Sequence, residues 1–456
     1  MKSLFEIAKS GLRGAERSMS VTSNNIVNAN TPGYSRQRVE KSPDGMQMDN
    51  YHVGLGVNID DLSRLRDKMN DQLLNKKKQD MGYLKKKADI YGKLESSMVS
   101  DYGDNLDSQV GGLFDNFSDL ASNPQDVSVR NNLISETQQF TSKLRETSRN
   151  VDQNSELVKN FAGKTLDSIN SILSDINELN SSIKQAKAKG NPDFASLDRR
   201  VAKMSELSEL VEFESQETST GAVEIQIDGH SVVDGNRAYN ITSEVDDTNK
   251  KYRLRLESGH VIAPEGGQIG AEIEMYEEGI PDIKERLDKI ASTIVTEVNN
   301  IHSSGYGLED NIQRNFFDPT GTTAESISIN KDLVENSKLI AASDTDGEAG
   351  NGEIASQIVE LRNEKVIGNT TQNQSLTDFT IGTISEPGIQ LDATNNRIDA
   401  RDSEIQMLKT QQEEEAGVNI DEELSKMIKF QNAYQGAAKV MSSAQQMYDT
   451  LISIVR

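Results

Sequence analysis

The sequence predicts a mainly α-helical protein with a β-rich insertion, built from coiled-coil helices at both termini, an elongated helical bundle and one small outer β domain. Apolar residues recur with a helical period over most of the 456 residues. The period shortens to two within residues 212–274, as expected for strands. Only 34% of the residues are hydrophobic and 5% aromatic, which suits helical layers with modest cores better than one large globule.

The two terminal segments carry matching apolar stripes. In the C-terminal segment, small and apolar residues recur at intervals that alternate between three and four, the spacing of a coiled-coil seam. These residues are Met427, Phe430, Tyr434, Ala437, Met441, Ala444, Tyr448, Leu451 and Val455. The first helix carries a similar stripe at Leu4, Ala8, Leu12, Ala15, Met19, Thr22 and Ile26. We therefore expect residues 1–40 and 418–456 to form one terminal helical domain that lines the inner tube of an assembly.

A polar run, residues 23–37, follows the first helix. Pro32 disfavours helical geometry at Thr31, and Pro-Gly fits the centre of a type II turn in which Gly33 takes a positive φ. The helix should therefore end near residues 28–30. The asparagines of the run serve either as local caps and turn residues or as intersubunit contacts, and the pattern leaves both open. The candidate assembly residues of this run are Asn24, Asn25, Asn28, Pro32, Gly33 and Tyr34.

Residues 41–211 and 275–417 predict a helical bundle domain with short strand elements. Alternating apolar residues at 53–59 predict a strand, and stripes of helical period follow it. The first long helix is expected to break at its glycines, which stand at positions 103, 111 and 112. The order of bundle, insertion and bundle implies that the chain leaves the helical domain once and re-enters it.

Residues 212–274 predict a β-rich outer domain. Alternating apolar residues precede two turn signals, Asp228-Gly229 and Ser258-Gly259, and this combination is typical of hairpins. The histidines of this region, His230 and His260, lie beside the turn glycines with no second metal ligand nearby in the sequence. We interpret them as solvated turn residues.

The composition and the motifs argue against nucleic-acid binding, catalysis and metal binding. The chain has 73 acidic and 49 basic residues, and its net charge of −24 disfavours binding to nucleic acid and to anionic membranes. No phosphate-binding glycine loop, zinc signature or hydrolase nucleophile motif occurs. The acidic turn at 344–348 resembles a calcium loop but has its glycine two positions too early. We therefore predict no enzyme activity, no catalytic residues, no cofactor and no metal.

The sequence also predicts no insertion into a membrane. No stretch approaches the roughly 20 apolar residues that a membrane-spanning helix needs. Residues 1–26 lack the apolar core of a signal peptide, because Glu6, Lys9 and Arg13 interrupt it. Any export should therefore leave the N-terminus uncleaved.

The terminal motifs resemble those of a known family. The run Ser-Asn-Asn-Ile-Val-Asn-Ala-Asn-Thr-Pro-Gly-Tyr-Ser-Arg-Gln at 23–37 is similar to the signature of the axial proteins of the bacterial flagellum. Its second half, residues 31–37, resembles the form found in hook-associated protein 1. Residues 417–424, 429–434 and 447–451 are similar to the C-terminal segment of that same family.

This resemblance implies a secreted structural subunit of the junction between the flagellar hook and filament. It implies self-association in a ring or helical tube through the paired terminal helices. The implied neighbours are the hook protein, the second junction protein (hook-associated protein 3) and a cytoplasmic export chaperone that holds the C-terminal segment. Export through the flagellar type III apparatus, without cleavage of a signal peptide, is implied as well.

Two alternatives stay open. A hook or rod axial protein of the same apparatus shares related end signatures, although long helices on both sides of the β insertion argue against the hook protein. A secreted adhesin or enzyme displayed by the β domain is the other alternative. It requires ligand-binding or hydrolytic activity in residues 212–274.

Overall fold

The computed structural model describes residues 2–31, 33–48, 51–99, 105–369 and 372–455. It is mainly helical, with long helices at both ends and a small β-rich insertion, so the fold class predicted from the sequence is confirmed. Within the described ranges, no helix is both long enough and apolar enough to cross a lipid bilayer.

Helices make up most of the described residues, and short strands form small antiparallel sheets between them. The α-helices are α1 (Lys2–Val27), α2 (Lys68–Met98), α3 (Leu106–Ser122), α4 (Val127–Ala188), α5 (Phe194–Leu210), α6 (Gly267–Glu274), α7 (Ile280–His302), α8 (Lys331–Glu335), α9 (Glu353–Glu360), α10 (Leu376–Ala416) and α11 (Ile420–Val455). The strands are β1 (Gln37–Met48), β2 (Tyr51–Arg64), β3 (Glu214–Glu217), β4 (Val223–Ile227), β5 (His230–Val233), β6 (Ile241–Asp246), β7 (Lys251–Leu256), β8 (Val261–Ile262), β9 (Ile367–Asn369) and β10 (Gln372–Gln374). A π-helical turn, Met275–Gly279, joins α6 to α7.

The first of two compact units consists of residues 1–80, 169–240 and 400–456. In this unit α1 packs against α11 and against the antiparallel hairpin of β1 and β2. The sheet β3-β4-β5 supplies apolar side chains such as Ile225 and Val232, and these are fully buried. Ile176 of α4 and Leu207 of α5 are fully buried as well, so an apolar core shared by helices and sheet stabilises the unit.

The second unit consists of residues 81–168 and 241–399. It contains α3, α6, α7 and α9 with the sheet β6-β7-β8. Its core includes an aromatic cluster in which the Phe316 ring lies 5.0 Å from the rings of both Phe117 and Phe317. His302 at the end of α7 packs edge-on against Phe316 at 5.3 Å and is completely buried. This cluster joins the segment after α7 to the core of the unit.

The β-rich insertion is built as two three-stranded antiparallel sheets, with strands between residues 214 and 262. The Asp228-Gly229 signal does form the β4–β5 turn, because both residues take positive φ, 49° and 71°, as a type I′ turn requires. The sheet β3-β4-β5 belongs to the first unit and β6-β7-β8 to the second. The division of the chain into three domains at residues 41, 212, 275 and 418 stays a prediction.

Two local expectations need correction. The strand predicted at 53–59 lies within β2, but its partner β1 was not predicted, because Pro43 and Gly45 interrupt the alternation of β1. Gly111 and Gly112 do not break a helix; they lie inside α3, whose apolar face is buried. The third glycine, Gly103, lies outside the described residues.

Candidate assembly interface of the terminal helices

The helices α1 and α11 pair through small side chains. Ala8 and Ala15 of α1 are 2% and 4% exposed, and Ala444 of α11 is 1% exposed. A Cβ atom added at Gly11 would lie 3.4 Å from the Cβ of Ala437, which is ordinary contact distance. Small residues therefore allow the two backbones to approach closely.

The buried stripe of α1 is shifted by one residue from part of the predicted one. Ser18 and Asn25 are buried, whereas the neighbouring larger residues Met19 and Ile26 are half-buried. Leu12 is half-buried and Leu4 is 37% exposed. The structure thus places the polar and small side of α1 inward and leaves its larger apolar side chains partly open.

The predicted seam of α11 is covered along only part of its length. Its half-buried members are Met427, Phe430, Ala437 and Met441. The ammonium group of Lys41 on β1 lies 5.0 Å from the centroid of the Phe430 ring, a cation–π contact. Tyr434, Tyr448 and Leu451 are exposed, and the side chain of Val455 lies outside the described part of the chain.

Apolar side chains on α11 outside the predicted seam face solvent as well, and with the three exposed seam residues they make one set. Ten large apolar residues of this 36-residue helix are between 40% and 73% exposed. They are Ile420, Leu424, Ile428, Tyr434, Val440, Met447, Tyr448, Leu451, Ile452 and Ile454. An exposed apolar surface of this extent is typical of a protein–protein interface.

A buried hydrogen-bond network fixes the two helices where α11 begins. Asn25 of α1 donates from Nδ2 to Oε2 of Glu423 at 2.9 Å and to the carbonyl oxygen of Gln37 at 3.0 Å. Its Oδ1 accepts from the hydroxyl of Tyr34 at 2.8 Å and from the amide of Gln37 at 3.0 Å. Asn25 and Glu423 are 1% and 2% exposed, so both donors and both acceptor positions of a buried amide are used.

Arg36 and Tyr34 supply further hydrogen-bond donors to this network. Arg36 donates from Nε to Oε1 of Glu423 and from Nη2 to Oε1 of Glu422, both at 3.0 Å. Burial, with the carboxylates of Asp198 and Glu423 adding to it, raises the pKa of Tyr34 to about 12. The Tyr34 hydroxyl is therefore protonated at neutral pH and available as a donor.

The other candidate residues of the polar run act locally. Nδ2 of Asn28 donates to Oδ1 of Asn24 at 2.7 Å, and both side chains lie at the solvent-exposed end of α1. The amide of Tyr34 donates to the carbonyl oxygen of Thr31 at 3.1 Å, and Gly33 has a φ of 77°, as the expected turn requires. Pro32 lies outside the described residues. The capping interpretation therefore fits Asn24 and Asn28, whereas Asn25 makes long-range hydrogen bonds within the chain. An intersubunit role of the asparagines stays a prediction.

Residues that sequence reasoning did not select also hold the terminal pair. Gly56 of β2 lies against α1, where a Cβ atom would come within 2.0 Å of Oγ of Ser10, and its φ is 117°. The next amide, that of Val57, donates to the same Oγ at 3.1 Å. Glu423 and Arg36 were also not selected. For Glu423 a usable signal existed, because it lies four residues before the seam and therefore on the same side of α11.

The arrangement is suited to holding helices in register. Among the described residues, no group of three or more His, Asp or Glu side chains could hold a metal ion. The network of Asn25 and Glu423 fixes one end of the pair, and the exposed apolar residues of α11 remain available to another protein surface.

Comparisons with known proteins match three separate ranges of the chain to family models. A family model described as the flagellar hook-associated protein FlgK helical domain matches residues 91–317. A model described as the flagellar basal body rod FlgEFG protein C-terminal matches residues 409–454, and one described as flagella basal body rod protein matches residues 5–34.

Curated relatives match this chain almost end to end. Flagellar hook-associated protein 1 of Bacillus subtilis is 23% identical, over 98% of this chain and 97% of the relative. The protein of the same name from Salmonella typhimurium is 22% identical over 100% of both chains. A solved structure, that of the flagellar hook junction protein FlgK from Burkholderia pseudomallei, covers 75% of this chain and 99% of its own with a TM-score of 0.65. Its 13% sequence identity makes this a likeness of fold.

Proposed function

The chain belongs to the hook-associated protein 1 family of the bacterial flagellum, and we propose that it builds the hook–filament junction by polymerising through its paired terminal helices. It is a structural protein of the flagellum. The observation that carries the proposed mode of assembly is the set of ten exposed apolar residues on α11. Burial of this set against neighbouring subunits would remove a large apolar surface from water and stabilise the assembly.

Self-association would arrange the copies in a ring or helical tube. A contact that joins different patches on each copy closes into a ring or continues as a helix, depending on the rotation between copies. In the proposed tube, the small residues Ala437 and Ala444 admit close packing on one side of α11. The exposed side chains, among them Ile428 and Ile454, then meet the next subunit.

The proposed neighbours along the axis are the hook protein and the second junction protein, hook-associated protein 3. The match of rod-protein models to residues 5–34 and 409–454 supports contacts through the terminal segments, since these segments are what the axial proteins have in common. The same exposed apolar residues of α11 suit a cytoplasmic export chaperone, which would cover them before assembly. No nucleic acid and no membrane insertion belong to this proposal.

We propose that the protein reaches the extracellular flagellum through the flagellar type III apparatus without cleavage of a signal peptide. Mass spectrometry of the protein sheared from cells tests this directly. The intact N-terminal peptide is expected, and a peptide that starts inside α1 would contradict the proposal.

The second candidate is a rod or hook subunit of the same apparatus. The rod-protein models that match both terminal segments favour it, whereas the match of residues 91–317 to the hook-associated helical domain favours the junction. Gene deletion with electron microscopy of the cells separates the two. Complete hooks without filaments, with flagellin lost to the medium, are expected for a junction protein; missing hooks would indicate a rod or hook subunit.

A further inference from the structure

A cavity of about 290 Å³ lies within the first unit, between the start of α2, the helix α5 and the strands β3 and β4. Its walls are largely apolar. The apolar wall residues are Phe194, Leu197, Val201, Met204 and Val223. Phe194, Leu197 and Val201 are only half-buried, so the cavity is open to an apolar side chain from outside.

The cavity also carries more positive than negative charge. Four cationic side chains line it, Arg64, Arg66, Lys68 and Arg200, against two carboxylates, Asp71 and Glu217. Arg66 pairs with Asp71, and Lys68 pairs with Glu217. Arg64 pairs at 3.1 Å with Asp198, which lies outside the lining. In the described part of the chain, Arg200 has no carboxylate within ion-pair distance.

Arg200 is the deepest of these cations. It is 4% exposed, and its Nη1 donates to Oδ1 of Asn180 at 2.9 Å and to the carbonyl oxygen of Gly221 at 2.6 Å. Its Nε atom is buried without a hydrogen-bond partner among the described residues. Burial lowers the pKa of Arg200 to about 10, so the guanidinium is still charged at neutral pH. The charge of Glu217 acts on Arg200 from beyond ion-pair distance. A buried cation with no carboxylate in direct contact is unfavourable, and a carboxylate is the anion that matches the guanidinium fork.

We propose that this cavity binds an acidic segment of a second copy of the chain, residues 420–424, with a carboxylate directed at Arg200 and an aliphatic side chain against the apolar wall. The net charge of −24 makes the chain itself a source of acidic segments. In this segment, Ile420 and Leu424 are 43% and 44% exposed and Asp421 is exposed between them. The spacing of four places Ile420 and Leu424 on the same side of α11. The inference rests on the proposed self-association in one respect only, namely that a second copy supplies the bound segment.

The test measures binding of a fluorescein-labelled peptide, residues 417–427, to the full-length monomer by fluorescence anisotropy. Saturable binding is expected. Lys68→Glu should weaken binding about tenfold or more, because it reverses a charge at the rim. The Lys68 side chain is 79% exposed, so this variant should fold. Lys85→Glu is the matched control, since Lys85 is an exposed lysine of the same helix α2 that does not line the cavity.

Two altered peptides separate the contribution of the carboxylates to binding from that of the aliphatic side chains. A peptide with Asp421→Asn, Glu422→Gln and Glu423→Gln should bind about tenfold more weakly or worse, and so should a peptide with Ile420→Ser and Leu424→Ser. Val201→Trp, which fills the cavity from its wall, should also reduce binding of the original peptide. Circular dichroism of each protein variant confirms that it is folded.

Four outcomes would overturn the inference. One is no saturable binding to the wild-type monomer, and another is equal binding by Lys68→Glu, Val201→Trp and Lys85→Glu. A third is competition by inorganic phosphate at the same concentration as the peptide, which would remove the need for an aliphatic side chain. The last is that Lys68→Glu abolishes peptide binding while cells that carry this variant still grow filaments. The segment that the cavity binds then does not come from a second copy in the assembly. The proposal of assembly through α11 would be unaffected by that result.

Discussion

The side-chain amide of Asn25 on α1 and the carboxylate of Glu423 on α11 form a 2.9 Å hydrogen bond between the two ends of the chain. Both side chains are almost completely buried. A buried polar pair of this kind favours one register of two helices over others, because any shift leaves its members without partners. We infer that this bond sets how the terminal helices pair before they meet another subunit.

Asn25→Ala should lower the free energy of unfolding by about 1–3 kcal/mol, because the buried carboxylate of Glu423 and the backbone of Gln37 each lose a partner. Urea titration followed by circular dichroism measures the change. Asn28→Ala is the control, since the Asn28 side chain bonds only to Asn24 and Thr31 in the exposed turn after α1, and it should change stability by less than about 0.5 kcal/mol. Equal effects of the two substitutions would contradict the role given to Asn25.

Gly56→Ala should loosen the β1–β2 hairpin from α1. The added Cβ atom would lie 2.0 Å from Oγ of Ser10, and φ at Gly56 is 117°, so strain alone should cost about 1–3 kcal/mol. Hydrogen exchange of the hairpin amides is expected to become faster. Gly54→Ala, at a position with open space around it, should leave the exchange unchanged. Unchanged exchange in Gly56→Ala would show that the contact with Ser10 does not hold the hairpin.

His302 should make the folded state less stable in acid. Complete burial lowers its pKa from 6.5 to about 4, so the folded state binds the proton less readily than the unfolded state. The stability contributed by neutral His302 is present above pH 6.5 and is lost as pH falls towards 4, on the order of 3 kcal/mol in total. In urea titrations from pH 8 to 4, the wild type should lose this stability and His302→Gln should not. If the wild type and His302→Gln lose stability in parallel as the pH falls, the role assigned to His302 is wrong.

Glu272 should act in the opposite direction. Burial raises its pKa from 4.5 to about 7, against the opposing attraction of Lys86 at 3.3 Å. The folded state therefore holds this proton more tightly, and the stability from the protonated form is fully present below pH 4.5 and is lost as pH rises through 7. Relative to the wild type, Glu272→Gln should become progressively more stable between pH 5 and 8 in the same titrations. A difference that does not vary with pH would count against it.

The sequence predicted the parts of the fold that depend on spacing along the chain. The stripes at both termini predicted α1 and α11, because a helical period needs only neighbouring residues. The run at 23–37 predicted the turn at Gly33 for the same reason. The predicted helix break at Gly111 and Gly112 was wrong, because burial of the apolar face of α3 outweighs the low helix propensity of two glycines.

The long-range contacts could not be predicted in this way. Asn25 and Glu423 are 398 positions apart. Glu423 continues the spacing of the seam on α11, but no local pattern pairs it with Asn25. The cavity around Arg200 is assembled from β2, α2, α5, β3 and β4, so no single stretch of sequence carries its signal. On α1 the buried position is Asn25 and not the predicted Ile26. The hydrogen-bond network of Asn25 and Glu423 explains this shift, because a polar residue that is fully hydrogen-bonded is stable when buried.

The most direct test of assembly through α11 compares filament growth in cells that carry Ile428→Asp with Met447→Asp and in cells that carry Asn432→Asp with Ser443→Asp. All four positions are exposed on α11, and both pairs add the same charge, so neither should unfold the monomer. Electron microscopy is expected to show complete hooks without filaments for the first pair and normal filaments for the second. Normal filaments in cells that carry the first pair would contradict the proposal that these apolar residues form the assembly interface.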